Sequence, residues 1–133
     1  MGPKGTLNGI AGVHLAAAEL SLKGFSVAVT SRNTAGVDLY ATSPKSKRSY
    51  SIQVKTSASI NRMNFWPLEN EPVEPHLGYF FVFVRINQPR KPNEFYIVPS
   101  SWVGKHSAKR RRKWNSFYRR DGLKFHDGWK LLR

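Results

Sequence analysis

Residues 33–57 read NTAGVDLYATSPKSKRSYSIQVKTS, and the fold turns on how they are paired. Residues 37–42 alternate apolar and polar side chains, as do residues 50–56, and a polar, basic turn (43–49) joins them. The expectation is a β-hairpin. Side chains of a strand alternate between its faces, so Gln53 and Lys55 share one face while Ile52, Val54 and Thr56 take the other. Asp38 stands near the start of the first strand. A carboxylate, an amide oxygen and an amine can then face one space, where a divalent cation and a phosphodiester would meet.

An Asp at the start of one strand, followed by an acid or amide and a Lys two apart on the next, closely resembles the core of the PD-(D/E)XK nuclease superfamily. Here the set is Asp38, Gln53 and Lys55, with Gly36 and Val37 ahead of the Asp instead of a proline. Gln53 stands where most members carry a glutamate, which corresponds to the Gln-x-Lys variant of Mrr-like and related restriction branches. The resemblance covers roughly residues 9–98 and is strongest over 33–57. It implies a restriction endonuclease-like α/β core: a central mixed sheet of four to five strands flanked by helices, ordered α-β-β-β and then β-β. It implies a Mg²⁺ or Mn²⁺ ion held by Asp38, the Gln53 side chain and the Val54 backbone carbonyl, with Lys55 placing or polarising the attacking water.

Composition points the same way. The chain of 133 residues carries a formal charge of +14 and no cysteine. That excess of cations favours polyanionic partners. Without cysteine there is neither a disulfide framework nor a thiolate zinc site, and the four histidines match no metal-ligand spacing. No run approaches the roughly 18 apolar residues of a membrane span, and no signal-peptide pattern stands out; the expected location is the cytoplasm. Of the eight acids only Glu19 and Asp38 precede residue 60. An acid retained in so basic a half is expected to have a specific task; the competing role for Asp38 is a turn or cap.

Taken in order, residues 1–5 read as a loose tail. A helix follows from Thr6 or Asn8 to Lys23, with either residue as its cap and Gly24 as its stop. Leu7, Ile10, Val13, Ala17 and Leu20 form its apolar stripe. Superfamily relatives place a glutamate near the start of this helix, at a position that falls on Gly12 or Val13 here, and neither can bind metal. Glu19 lies too far round the helix to replace it and reads as a surface acid paired with Lys23. Residues 25–30 form the first strand, and Arg32 and Asn33 sit in a loop able to meet a DNA backbone. Prolines 67, 72 and 75 argue against a long helix over 58–76. Arg62 and its neighbours there either touch DNA or, through Phe65 and Trp66, close the core.

Residues 77–86 read as a central strand covered on both faces, and 94–98 as its neighbour, with Ser100 or Ser101 capping what comes next. Beyond residue 100 stand eleven Lys and Arg against two Asp. Lys109, Arg110, Arg111, Arg112 and Lys113 form the densest run and would add phosphate contacts without sequence preference. Thr56 and Ser57 are candidates for a phosphate contact beside the catalytic set. A turn over 119–122 and a closing hairpin or two edge segments over 123–132 complete a single domain.

The implied function is hydrolysis of DNA phosphodiesters, in duplex or branched DNA, by a homodimer needing no small-molecule cofactor. The missing helix glutamate and the amide at position 53 weaken the metal site. A nucleic-acid-binding protein on the same scaffold without catalysis is therefore the alternative.

Overall fold

The computed structural model describes residues 3–31, 36–59, 64–68, 75–107 and 115–133. The elements are α1 (Pro3–Leu22), β1 (Ser26–Val29), β2 (Leu39–Thr42), β3 (Ser49–Ala58), β4 (Phe65–Pro67), β5 (Tyr79–Ile86), β6 (Glu94–Pro99), α2 (Ser100–His106), β7 (Ser116–Tyr118) and α3 (Arg119–Gly122). Two single 3₁₀ turns follow, Leu123–Phe125 and Trp129–Leu131.

Five strands make one mixed sheet in the order β1-β2-β3-β5-β6. Only β3 and β5 run parallel; the other neighbours are antiparallel. The hairpin expected over 37–56 is present as β2 and β3, with Leu39 opposite Ile52 and Thr42 opposite Ser49. Together with the flanking helices this is the restriction endonuclease-like α/β core. Helix α1 covers one face through Ala16 and Leu20, which pack with Leu39, Ala41, Ile52, Val54, Val82 and Ile97. The other face carries Phe81, Phe83, Tyr96 and Val98 beneath Trp66, Val103 and Phe117. Trp66 comes from β4, which pairs with β7 in a second, two-stranded sheet.

α1 begins earlier than its sequence indicates. Thr6 and Asn8 lie inside it rather than capping it, and the supposed tail joins it from Pro3. A proline suits the first helical turn, where its missing N–H would have had no partner. The poor propensity of Gly12 is offset by contact: a Cβ built there would stand 1.8 Å from Thr56 Oγ1, so only glycine lets α1 approach β3 this closely. At the other end Phe25 N–H donates to Leu20 O and Gly24 N–H to Ser21 O, both at 3.0 Å, and Gly24 adopts φ +91°. This is the Schellman stop expected from Gly24. Glu19 pairs with Lys23 at 3.6 Å.

Two further expectations are corrected. Ser100 and Ser101 do not cap α2, whose N-terminal flank is Pro99 without a side-chain bond. The Ser100 hydroxyl instead exchanges hydrogen bonds with the backbone of His76, both at 3.1 Å. The C-terminal segment is not a hairpin; α3 and the two 3₁₀ turns lay Trp129 and Leu132 into the α1-side core, and only an isolated bridge joins His126 to Tyr96. Burial of Trp129 and Leu132, with the Asp127 N–H bond to Phe95 O at 2.8 Å, holds this segment.

Candidate functional site

β2 ends where β3 continues. Leu39 is the last ladder partner on that side, opposite Ile52, and Asp38 N–H donates to Ile52 O at 2.8 Å just beyond it. From Val54 onward the β2-side edge of β3 has no strand beside it among the described residues. Asp38 turns its carboxylate onto that edge, where Oδ2 accepts the Val54 N–H at 2.7 Å. In an extended strand the N–H and C=O of one residue point to the same side, so the Val54 carbonyl faces the same opening.

Gln53 and Lys55 flank Val54 and point to the face opposite α1, since Ile52 and Val54 belong to the α1-side core. In register they lie beside Phe81 and Phe83, within the aromatic layer. Both are half-buried. Gln53 Oε1 is shielded from solvent and has no hydrogen-bond partner among the described residues. An orphaned amide oxygen is costly in such a place, by about 1–3 kcal/mol, and is an acceptor waiting for a donor or a cation. No acid among the described residues pairs with the Lys55 amine.

The structure thus joins Asp38 to Val54, and Gln53 and Lys55 adjoin Val54 along β3. Ser57 follows on the Gln53 face but is buried, its Oγ without a partner among the described residues. Thr56 faces α1, and its equally orphaned Oγ1 is pressed against Gly12. Arg32, Asn33, Arg62, Lys109, Arg110, Arg111, Arg112 and Lys113 lie outside the described residues. Of the aromatic pair flagged beside Arg62, Trp66 is a core residue, 1 % exposed, whose Nε1–H donates to Val84 O at 3.0 Å.

The donor set suits a hard cation: a carboxylate, an amide oxygen and a backbone carbonyl, without sulfur or imidazole. It carries a single formal charge. Among the described residues no three His, Cys, Asp or Glu side chains gather around one point. Of the two helix positions from which an acid was sought, Gly12 leaves no room for a side chain and Val13 packs against the α1-side core.

A second polar cluster went unread in the sequence. Glu94 Oε1 accepts from Arg119 Nη2 at 3.0 Å and Nε at 3.2 Å, and from the Tyr96 hydroxyl; Oε2 accepts from Asn87 Nδ2 at 2.8 Å, with Arg85 Nε at 3.9 Å. Burial opposes the charge on Glu94, yet the bonds from Tyr96, Asn87 and Arg119 and the Arg119 charge outweigh it, holding the carboxyl at about 2. Burial and the neighbouring carboxylate push the Tyr96 phenol up to about 12. This cluster fastens the β7–α3 segment to the sheet; only Glu94 among its members carried a sequence signal, as a lone acid opening a strand.

The fold is that of the restriction endonuclease-like α/β proteins. Within it, the chain is similar to the solved structure of a bacterial homing endonuclease, with a TM-score of 0.63 and 19 % identity, over 99 % of this chain and 92 % of that one. A likeness at that identity shows the fold. No family model matches the chain, and no curated protein matches it in sequence.

Proposed function

We propose that this chain is a metal-dependent endonuclease that hydrolyses DNA phosphodiester bonds, in duplex or branched DNA. The observation that carries the reading is the Asp38 carboxylate held on the β2-side edge of β3 by the Val54 N–H, with Gln53 and Lys55 on either side of Val54. The likeness to a homing endonuclease and the excess of cations support it.

In this reading Asp38, Gln53 and Val54 hold a Mg²⁺ or Mn²⁺ ion. When bound, such an ion neutralises charge on the phosphoryl oxygens and lowers the pKa of a coordinated water. The Val54 N–H fixes the rotation of the Asp38 carboxylate, so the ligand is oriented before any cation arrives. Lys55 supplies an ammonium that stabilises charge building on the scissile phosphate or orients water. The aromatic layer beneath excludes solvent from one side. Arg32, Asn33, Arg62 and the cations 109–113 supply backbone contacts, and Ser57 a further polar group. A homodimer belongs to the proposal, because cutting both strands of a duplex takes two sites.

The alternative is a DNA-binding protein on this scaffold that does not cut. It is favoured by the single charged ligand and by the close fit of α1 at Gly12, which excludes an acid from that position.

The deciding experiment is cleavage of labelled duplex, branched and single-stranded DNA in Mg²⁺ or Mn²⁺ by wild type, Asp38→Asn and Lys55→Ala. Asparagine keeps an oxygen for the Val54 N–H while removing the charge, so folding and catalysis are separated. Cutting that requires metal and is lost in both variants, with DNA binding retained, supports the nuclease. Binding without cutting on every substrate and in both metals moves the reading to the alternative.

A further inference from the structure

Away from the edge site, one end of the molecule gathers cations that the catalytic reading does not use. The β2–β3 turn is held in shape by its own hydrogen bonds: Ser43 N–H donates to Arg48 O at 2.8 Å and Lys47 N–H to Ser43 O at 3.1 Å. Ser43 Oγ accepts from Lys45 and Ser46 N–H, both at 3.3 Å. Lys45, Lys47 and Arg48 project from this turn into solvent. The chain packs two more segments against it. Ser46 Oγ donates to Arg133 O at 2.7 Å, and the Tyr50 hydroxyl donates to the same oxygen. Pro44 lies against Gly24 at the end of α1, and Lys23 from that end sits 5.0 Å over the Trp129 ring. Lys130 and Arg133 are joined by an Arg133 Nε bond to Lys130 O at 3.1 Å.

Six cations therefore share one end. Of these only Lys23 has a carboxylate within ion-pair distance among the described residues, Glu19. The nearest other acid in sequence, Asp127, stands beside His126. The negative end of the α1 dipole accounts for one or two cations here, not for six.

We infer that this end, formed by the β2–β3 turn, the C-terminus of α1 and the 130–133 segment, is a second docking surface for the phosphate backbone of duplex DNA. The inference rests on the proposed DNA substrate but not on cleavage. Seven residue steps, running into β3, take Arg48 to Lys55, about 23 Å at the rise of a strand. A duplex along the hairpin would meet cations at one end and the edge site further on, across roughly seven base pairs at 3.4 Å each. Ordered turn geometry favours a fixed backbone register over a diffuse cloud of charge.

The test is anisotropy titration of a labelled 24-base-pair duplex in EDTA, at several salt concentrations. It compares wild type with Lys45→Gln/Arg48→Gln, with Lys130→Gln/Arg133→Gln, and with Arg90→Gln/Lys91→Gln. The last pair removes the same charge from the β5–β6 turn, at the opposite end of the sheet. Each patch pair should lower the slope of log K against log salt by about 2 and weaken binding at 0.15 M by roughly 30-fold, while the control pair changes neither by half as much. Melting followed by circular dichroism confirms that each variant is folded. Slopes unchanged in both patch pairs, or lowered equally by the control, overturn the inference. The same variants are titrated against phosphatidylserine vesicles, and a loss there without a loss on the duplex also overturns the inference, making the surface a membrane contact. The nuclease reading is scored separately: a slope change without metal-dependent cutting keeps the surface and removes the catalysis.

Discussion

Glu94→Gln removes the charge at the centre of the cluster formed with Arg119, Tyr96 and Asn87. The glutamate is 13 % exposed and serves Arg119, Tyr96, Asn87 and Arg85 together. Its pKa falls from 4.5 to about 2 on folding. A folded pKa below the unfolded one means stability that is present above the unfolded value and lost as pH falls through the folded value. The shift corresponds to about 3 kcal/mol at neutral pH. Glutamine retains an acceptor for Arg119 but not the charge, so the variant should lose roughly 2–3 kcal/mol at pH 7. Urea unfolding followed by tryptophan fluorescence reads this directly, because Trp66 and Trp129 are both buried. The gap between wild type and variant should hold from pH 7 to about 5, shrink below 4.5, and close near pH 2. A gap under about 1 kcal/mol at pH 7 would refute the reasoning, since that is the worth of an exposed pair. So would a gap that persists undiminished at pH 2, because a lost packing contact does not titrate.

Other outcomes follow from single contacts. Gly12→Ala should cost about 1–3 kcal/mol despite alanine's better helix propensity, and adding Thr56→Ala should recover part of it; thermal melts of both variants check this coupling. Between pH 10 and 12 wild type should lose about 2–3 kcal/mol more than Tyr96→Phe, because a phenol whose folded pKa is raised to about 12 keeps its contribution below 10 and loses it as pH climbs; alkaline urea titrations report the difference. Gln53→Glu should lower the Mg²⁺ concentration for half-maximal binding by ten-fold or more, about 1.4 kcal/mol, as a second charged oxygen joins Asp38; isothermal titration would contradict the proposed donor set if affinity were unchanged.

The hairpin was legible because its apolar period of two runs through both strands, and the same alternation placed Gln53 and Lys55 on one face without knowledge of any partner strand. Gly24 was legible as a stop because a Schellman turn is local. The start of α1 was not, since local propensity speaks against Gly5, Gly9 and Gly12, whereas the reason for Gly12 is Thr56, far along the chain. The C-terminal segment failed for a related reason. Trp129 and Leu132 pack against Leu20, Tyr50 and Phe95 without any periodic pattern around them, so its anchors resemble strand residues. Of the Glu94 cluster, the sequence shows five polar or ionisable residues spread over more than thirty positions. Only the register of β5 against β6 brings Arg85 and Glu94 opposite each other.

The same contrast decides what position 12 means. From sequence alone a glycine there, like the valine beside it, looks like a ligand lost from a metal site that the amide at position 53 already weakens. In the fold it is a contact, because α1 comes close enough to β3 that even a methyl group would collide with the Thr56 hydroxyl. Restoring an acid at that position therefore requires a displaced helix, and the core held by Ala16 and Leu20 resists displacement. A charge is added with less disturbance from the sheet, at position 53, where an orphaned oxygen already lies. Gln53→Glu is thus the substitution that the packing permits, and Gly12→Glu the one that it forbids. If Gly12→Glu instead folded with unchanged stability and bound Mg²⁺ more tightly, α1 would have to sit further from β3 in solution than the Gly12–Thr56 contact allows.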